Sequence, residues 1–525
     1  MTTNQRWTMA AAILGSGTVF LDGTVVNVAL KRIGEDLPAG VVGVLEGQTY
    51  VTSGYLATLA AFLILAGALS DHLGRRRMFT IGLAGFGLTS VLCGLAPSLE
   101  LLVAARVLQG AAGALLVPGS LAIIAATFEG PARARAFGRW AAATSATIVL
   151  GPIVGGVLVG TISWRMAFLI NAPLLVVALW GTRRHMAESR DEHASGRFDW
   201  LGALVGAVAV GGLAFGAIRG QQRAWADPLA FMALGAGALA LVAFPVLMAR
   251  RPDPLVPLEL FRVRRFAILN LSTFLVYGAL YVTLAFQAVF FQGTLGYSPL
   301  AAGMLSLPVG LLLTVLSTRV GALAGRLGAR RFLVAGPALV ATGTLWLARI
   351  PATSRAWEAE LARPASLLPP SDFLVDVLPG LLLSGLGMSL VVAPLTSALM
   401  SSVPVRQAGL ASAINNAVSR VGQPLLGALI FVAITAGFYG TLGALVPGLD
   451  TSAADVRALA APLNPPAPAA PAAVVAAARI ASTDAFHLAM LVAAALLAGG
   501  AAVNALDPGS EPVGALEPDA SAGRG

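Results

Sequence analysis

The stretch Gly67-Ala-Leu-Ser-Asp-His-Leu-Gly-Arg-Arg-Arg-Met-Phe79 is echoed later in the chain by Gly321-Ala-Leu-Ala-Gly-Arg-Leu-Gly-Ala-Arg-Arg-Phe-Leu333. Both copies are short basic links between long apolar runs. A helix needs about 20 apolar residues to cross about 30 Å of hydrocarbon. By that measure the sequence predicts fourteen spans, at 8–30, 49–69, 78–96, 99–127, 136–160, 166–182, 198–218, 229–249, 266–291, 300–323, 332–349, 373–402, 408–437 and 484–505. Each copy of the echo joins the second and third spans of a six-span block. A second echo sets Leu150-Gly-Pro-Ile-Val-Gly-Gly-Val-Leu158 against Gly422-Gln-Pro-Leu-Leu-Gly-Ala-Leu-Ile430, in the fifth span of each block. Two echoes in matching positions point to an internal duplication.

The expected fold is therefore an all-α polytopic membrane protein with 14 transmembrane helices in a 6 + 2 + 6 pseudo-repeat. Residues 1–182 form an N-terminal six-helix bundle, 183–265 hold cytoplasmic linkers and two extra transmembrane helices, and 266–505 form a C-terminal six-helix bundle. Residues 506–525 are expected to be a disordered cytoplasmic tail. A miscounted pair near 198–249 leaves twelve spans as the competing count. Parallel repeats related by an axis along the membrane normal are a transporter pattern, with the substrate site between the halves.

Composition excludes other classes. The 525 residues are 57% hydrophobic and 11% charged, against roughly 45–50% and 25% in soluble domains. The formal charge of +9 rests on arginine, with Lys31 the single lysine. A phosphate-cradling Walker loop needs Gly-Lys-Ser/Thr, and Lys31 precedes Arg32 with no glycine before it, so no ATP-driven motor is encoded. The arginines lie in short loops between apolar runs, which favours orientation in a bilayer over nucleic-acid binding. Cys93 is alone, and His72, His185, His193 and His487 are scattered without a metal-binding spacing. No nucleophile elbow occurs. We read the chain as not an enzyme, without cofactor or metal; its partners are a small amphiphilic substrate, protons and the lipid bilayer. It names no partner protein in an outer envelope.

Charge asymmetry orients it. With a cytoplasmic N-terminus, the inside loops carry Arg75–Arg77, Arg133/Arg135/Arg139, Arg183/Arg184/Arg190/Arg197, the five arginines between Arg250 and Arg265, and Arg326/Arg330/Arg331, as the positive-inside rule requires. An even number of spans returns the C-terminus to the same side. The first apolar run reaches Leu30, beyond a signal-peptide core, and reads as an uncleaved span. Loops 350–372 and 438–483 face outside; the second contains the Pro/Ala-rich 462–473, a composition unable to bury a core, with a short helix near 474–480. The richness in alanine and arginine suggests a GC-rich genome and a bacterial cytoplasmic (inner) membrane.

The motifs then give a resemblance. Gly67, Asp71, Gly74, Arg75 and Arg76 match G-x-x-x-D-x-x-G-R-R, the loop signature of the major facilitator superfamily. In that family the loop is a latch that holds the outward-facing state, so the resemblance implies the major facilitator fold and a conformational gate here. The second copy has Gly325 in place of Asp71, so the charged latch is expected once. Leu21-Asp22-Gly-Thr-Val-Val-Asn-Val-Ala-Leu30 resembles the first-span motif of the family's fourteen-span drug:proton antiporters. A carboxylate inside a span costs at least about 2.5–3.5 kcal/mol and normally has a task. Apolar surroundings favour its neutral form, which suits reversible protonation. A packing role through Thr24 or Asn27 is the alternative.

Arg106-Val-Leu-Gln-Gly-Ala-Ala-Gly113 resembles the fourth-span signature R-x-x-Q-G. Counting about 1.5 Å per residue from the outer ends of their spans puts Asp22 and Arg106 at nearly equal depth. They can form a pair that releases on protonation, or a bridge that only holds two helices together. Gly151, Pro152, Gly155 and Gly156 resemble the fifth-span antiporter motif G-P-x-x-G-G, which implies antiport rather than symport. Trp164, Arg165, Phe168, Asn171 and Pro173 add to the likeness to drug exporters. Arg420 lies mid-span with Asn415, Asn416 and Gln423, and no acid accompanies it in that span. This departs from some multidrug members and favours neutral, monocationic or anionic amphiphiles over dications. Tyr277, Tyr281, Phe286, Gln287, Phe290 and Phe291 can line an apolar pocket, or face lipid or packing partners.

The functional expectation is a proton-coupled antiporter exporting amphiphilic drugs by alternating access, with Asp22 and Arg106 in proton coupling. Cavity candidates are Asn27, Gln109, Asn171, Tyr281, Phe286, Gln287, Phe290, Asn416 and Arg420. The alternatives are a dedicated exporter of one endogenous metabolite, lipid, siderophore or self-made antibiotic, an importing symporter, and a non-transporting sensor or scaffold.

Overall fold

The computed structural model describes residues 1–38, 44–190, 198–222, 227–360 and 363–507. The expected disordered tail beyond 507 lies outside them, as does 191–197 in the linker. The helices run in chain order as α1 Thr3–Asp36, α2 Val44–Leu73, α3 Arg75–Gly94, α4 Leu99–Ala114, α5 Leu116–Thr127, α6 Gly130–Thr161, α7 Met166–Leu169 and α8 Asn171–His185. Next come α9 Trp200–Gln222, α10 Pro228–Arg250, α11 Glu259–Arg262, α12 Arg264–Val289, α13 Pro299–Met304, α14 Ser306–Leu327 and α15 Ala329–Leu347. The last are α16 Leu378–Ser401, α17 Ala408–Leu445, α18 Ala454–Leu459 and α19 Ala472–Ala505.

Prolines explain the broken spans. A proline has no N–H for the carbonyl four residues before it, and its ring crowds that carbonyl. Pro118, Pro173 and Pro308 each stand four residues after the last residue of a segment: Ala114, Leu169 and Met304. Each therefore interrupts one continuous apolar run, giving α4/α5, α7/α8 and α13/α14. Between α3 and α4 the chain turns at Pro97-Ser98, and the Ser98 hydroxyl accepts from Leu101 N at 3.4 Å. At the two echoed loops, Gly74 (φ 111°) and Gly328 (φ 85°) take positive φ and turn α2 into α3 and α14 into α15. That is a backbone shape an L side chain resists, so the two echoed loops share their backbone turn.

Twelve helical stretches among the described residues are long and apolar enough to cross a membrane. Two further long helices, α6 of 32 residues and α15 of 19, stand outside that set. Both open on arginines, Arg133/Arg135/Arg139 and Arg330/Arg331. Length and apolarity thus mark twelve spans among the described residues, and in α6 the stretch after Arg139 carries no charged residue.

Helices α1–α8 pack mainly on one another, as do α12–α19. The two sets meet where α2 and α5 lie on α17, and where α6 lies on α14 and α16. In lipid such contacts depend on small residues that let backbones approach. A Cβ on Gly67 would stand 2.3 Å from Ala413 Cβ, and one on Gly138 would stand 3.0 Å from Thr318 Cα. The hairpin α9–α10 lies beside this seam, with α9 against both α2 and α17 and α10 against α9.

The 438–483 stretch departs from expectation. Helix α17 continues to Leu445, α19 begins at Ala472 and absorbs the short helix foreseen at 474–480, and the Pro/Ala-rich link between them is not coreless. Ala460 and Leu463 are buried in one cluster with Trp357, Phe373, Phe438 and Phe486, and Val456 is buried as well. The Trp357 indole donates to Ser366 O at 3.0 Å, and Arg479 donates to Ala352 O at 2.7 Å. Low complexity misled because the apolar partners come from the ends of other helices, so the link needs few large side chains of its own. The two long links, expected to face outside, form a cap over the ends of α12, α17 and α19.

Candidate functional site

The acid of the first span is sealed in the N-terminal bundle. Asp22 on α1 and Arg106 on α4 are both 0% exposed, and Arg106 Nη1 donates to Asp22 Oδ2 at 2.5 Å. Around them stand several polar partners. Gln109 Nε2 and Asn171 Nδ2 donate to Asp22 Oδ1 at 3.2 and 3.0 Å. Arg106 also donates to Gln109 Oε1 at 2.8 Å and, through Nε, to Val51 O at 2.9 Å. Its guanidinium lies 4.0 Å over the ring of Tyr55, whose hydroxyl donates to Val19 O. Ser90 accepts from Gln109 and Asn171 and donates to Phe168 O. A buried ion pair repays its desolvation only when the remaining lone pairs and protons are satisfied. Four helices, α1, α3, α4 and α8, supply side chains here to meet that requirement.

Gln109 and Asn171, foreseen on the cavity wall, stand instead in this closed network. Spacing explains Gln109, which lies one helical turn after Arg106 and so faces the same way. Tyr55 and Ser90 were missed, since neither belongs to a quoted motif. The sequence signal was their position on the helices that face α4.

The cavity lies on the other side of α1. Phe20 and Thr24, one turn apart, line it, while Asp22 between them faces the opposite way. Its volume is about 590 Å³, within the range of ligand pockets. The first half gives Phe20, Trp140, Thr144 and Ser145; the second gives Tyr277, Tyr281, Gln287, Asn416 and Arg420. Tyr281, Gln287, Asn416 and Arg420 are therefore on the wall as expected. Phe290 is not: it is 0% exposed and stacked on Phe486 at 4.0 Å, holding α12 to α19. Phe286 packs with the same cluster. Phe286 and Phe290 are one turn apart and share a face turned away from the cavity-lining Tyr277, Tyr281 and Leu284. The side chain of Asn27 lies outside the described residues.

The loop residues form a clasp between the halves. Asp71 Oδ2 accepts from Leu410 N at 2.8 Å and Oδ1 from Gly409 N at 3.2 Å, at the N-terminus of α17 where free N–H groups favour an anion. Arg75 Nη2 donates to Asp71 Oδ1 at 2.8 Å and reaches Val405 O at 2.5 Å and Arg406 O at 3.1 Å. Arg76 turns away, donating to Arg183 O at 2.7 Å within its own half. Glu188 caps α3 through Arg76 N and Arg77 N, a contact no motif announced. Gly74 makes the turn. In the second copy, a Cβ on Gly325 would stand 3.2 Å from Ala134 Cβ, and Gly325 has no carboxylate to grip with.

In the fifth span, a Cβ on Gly151 would stand 1.9 Å from Thr24 Oγ1 and one on Gly155 3.1 Å from Val25 O, whereas Gly156 has open space. Two of the three motif glycines thus seat α6 on α1. The side chain of Pro152 lies outside the described residues.

The sequence profile of the Major Facilitator Superfamily matches residues 12–427. The chain belongs to the major facilitator superfamily. It is a multi-pass membrane transporter of the secondary class, not an enzyme. It is 34% identical to the multidrug resistance protein Stp of Mycobacterium tuberculosis over 84% of this chain and 78% of that one. It is 31% identical to the tetracenomycin C resistance and export protein of Streptomyces glaucescens over 80% and 74%. The fold matches that of the human organic anion transporter MFSD10 (TETRAN), with a TM-score of 0.57 at 15% identity, covering 95% of this chain and all of that one. This member of the superfamily is thus related to drug and antibiotic resistance exporters.

Proposed function

We propose that the chain is a proton-coupled antiporter that exports amphiphilic, drug-like compounds across a bacterial cytoplasmic membrane by alternating access. The carrying observation is the sealed Asp22–Arg106 pair between α1 and α4, with the other face of α1 lining the cavity. In this reading Asp22 takes a proton from outside. Protonation leaves the Arg106 cation buried without its counter-charge, an arrangement that costs several kcal/mol, and α1 must then repack. Asn171 Oδ1 is buried and has no hydrogen-bond donor among the described residues. A turn of that amide offers an acceptor to the new proton.

The clasp of Asp71 and Arg75 on the start of α17 holds the arginine-loop end closed. With both termini cytoplasmic, that is the outward-facing state, and Gly67, Gly74 and Arg76 shape the clasp. Gly151 and Gly155 allow α1 and α6 to move as one unit. The 6 + 2 + 6 arrangement with fourteen spans is supported by α6 and α15, which stand in the places the duplication assigns to spans.

The test is substrate flux in proteoliposomes under an imposed pH gradient. Wild type is expected to move a hydrophobic dye against its gradient, and Asp22→Asn to lose pH-driven flux while retaining downhill exchange. Unchanged pH-driven flux in Asp22→Asn removes Asp22 from the coupling. The likeness to a tetracenomycin C export protein favours a second reading, export of one compound only, and a dye panel with a single transported member selects it.

A further inference from the structure

The cavity wall carries one formal charge among the described residues, and it is positive. Arg420 on α17 makes no hydrogen bond or ion pair with any described residue and lines the cavity. No aspartate or glutamate joins it there. The nearest membrane acid, Asp22, faces away, is sealed, and is committed to Arg106. A guanidinium presents a planar fork of donors that matches a carboxylate or enolate in two parallel bonds, and here that fork is unspent. The neighbouring amides are occupied: Asn415 donates to Asn270 and Thr273, and Asn416 to Ser412 O. Aromatic pairs face the same space from each half. Phe20 and Trp140 lie edge to face at 6.4 Å, and Tyr277 and Tyr281 are tilted at 6.0 Å.

We propose that the substrate is a planar aromatic acid, its anionic group held by Arg420 and its ring system between the Phe20/Trp140 and Tyr277/Tyr281 pairs. The proposal rests on the export reading above and deepens it. It has an energetic consequence. A monoanion leaving in exchange for an entering proton moves two positive charge equivalents inward per cycle, so an inside-negative membrane potential assists both movements. A monocation exchanged for a proton moves none.

The test uses three probes with one ring body: anthraquinone-2-carboxylate, its methyl ester, and the matching trimethylammonium cation. Binding of tritiated probes to the immobilised full-length protein is measured at neutral pH. The acid is expected to bind about tenfold tighter than the ester, as a charge-assisted bidentate contact permits, and the cation weakest. Arg420→Gln is expected to abolish the acid–ester difference while leaving ester affinity unchanged, and Arg420→Lys to keep part of it. Equal affinity of wild type for acid and ester, or a preference for the cation, overturns the proposal without any variant. An Arg420→Gln protein that keeps its preference for the acid overturns it as well. Flux separates the two readings. Acid preference without pH-driven flux removes antiport and leaves this site standing, and pH-driven flux of the ester with no acid preference does the reverse.

Discussion

Substituting Asp22 by asparagine is nearly isosteric, yet the geometry makes it severe. Arg106 keeps an acceptor on the amide oxygen, but the other Asp22 oxygen receives two donors, Gln109 Nε2 at 3.2 Å and Asn171 Nδ2 at 3.0 Å. An amide nitrogen there meets them donor to donor. Gln109 cannot turn to compensate without losing its bond from Arg106 at 2.8 Å. The larger cost is the guanidinium, now buried without a counter-charge, and breaking a buried pair from one side costs about 3–5 kcal/mol. At ~2 °C per kcal/mol, this lowers the melting temperature by roughly 6–10 °C. The chain carries its own reporter: Cys93 is its one cysteine and is fully buried. A maleimide that fluoresces on thiol capture therefore reads unfolding in detergent. Adding Arg106→Met to Asp22→Asn removes the orphan charge and is expected to return about 2–3 kcal/mol as coupling. An Asp22→Asn protein that melts with wild type, or a double variant no better than the sum of the singles, refutes the ion-pair account.

Asp71→Asn removes the anion from the start of α17. Charge-assisted hydrogen bonds contribute about 1.5–3 kcal/mol, so the clasp should open about 10- to 100-fold more often, read as a longer distance between spin labels at the exposed Arg77 and Arg406 positions in a Cys93→Ser background. Within one motif, Gly151→Ala should destabilise by about 1–3 kcal/mol through overpacking, because its Cβ meets Thr24. Gly156→Ala, with open space, should melt with wild type; equal effects at both sites refute the helix-seating role. Trp357→Ala should cost about 3–5 kcal/mol within the outer cap and expose the link around 350–360 to protease, while the acid–arginine pair stays intact; a link as resistant as wild type removes Trp357 as the cap's anchor.

Much of the fold was legible because its instructions are local. Apolar length sets a helix, a glycine at a positive φ turns it, and a proline breaks three of the runs, whereas Pro245, Pro337 and Pro394 stand inside unbroken helices. The pairing of Asp22 with Arg106 was legible because depth along a helix is a linear count. Facing direction was harder. Gln109 and Asn171 were read toward the cavity because polar groups in spans suggest a wet wall, yet they turn inward to complete the partners of a buried carboxylate. Phe290 was misplaced because it falls one turn after Phe286, on the face that packs on Phe486 rather than on the cavity. The outer cap was illegible because its core is assembled from residues far apart in the chain: Trp357, Leu463 and Phe486. Span character was less legible at α15, whose opening Arg330 and Arg331 lower its apolarity without shortening the helix.

The two loop copies share their glycine turns but not their grip. On one flank, Asp71 and Arg75 bind the start of α17 with directional bonds that either hold or break. On the opposite flank, α6 meets α14 where Gly138, Gly321 and Gly325 leave little room for a side chain, with no ion pair between the two helices among the described residues. A door is built this way, with a smooth hinge line on one jamb and a single catch on the other. After duplication, each flank was free to specialise. Catch strength, and with it the dwell time of one face, can then change through two side chains without altering the cavity's choice of cargo.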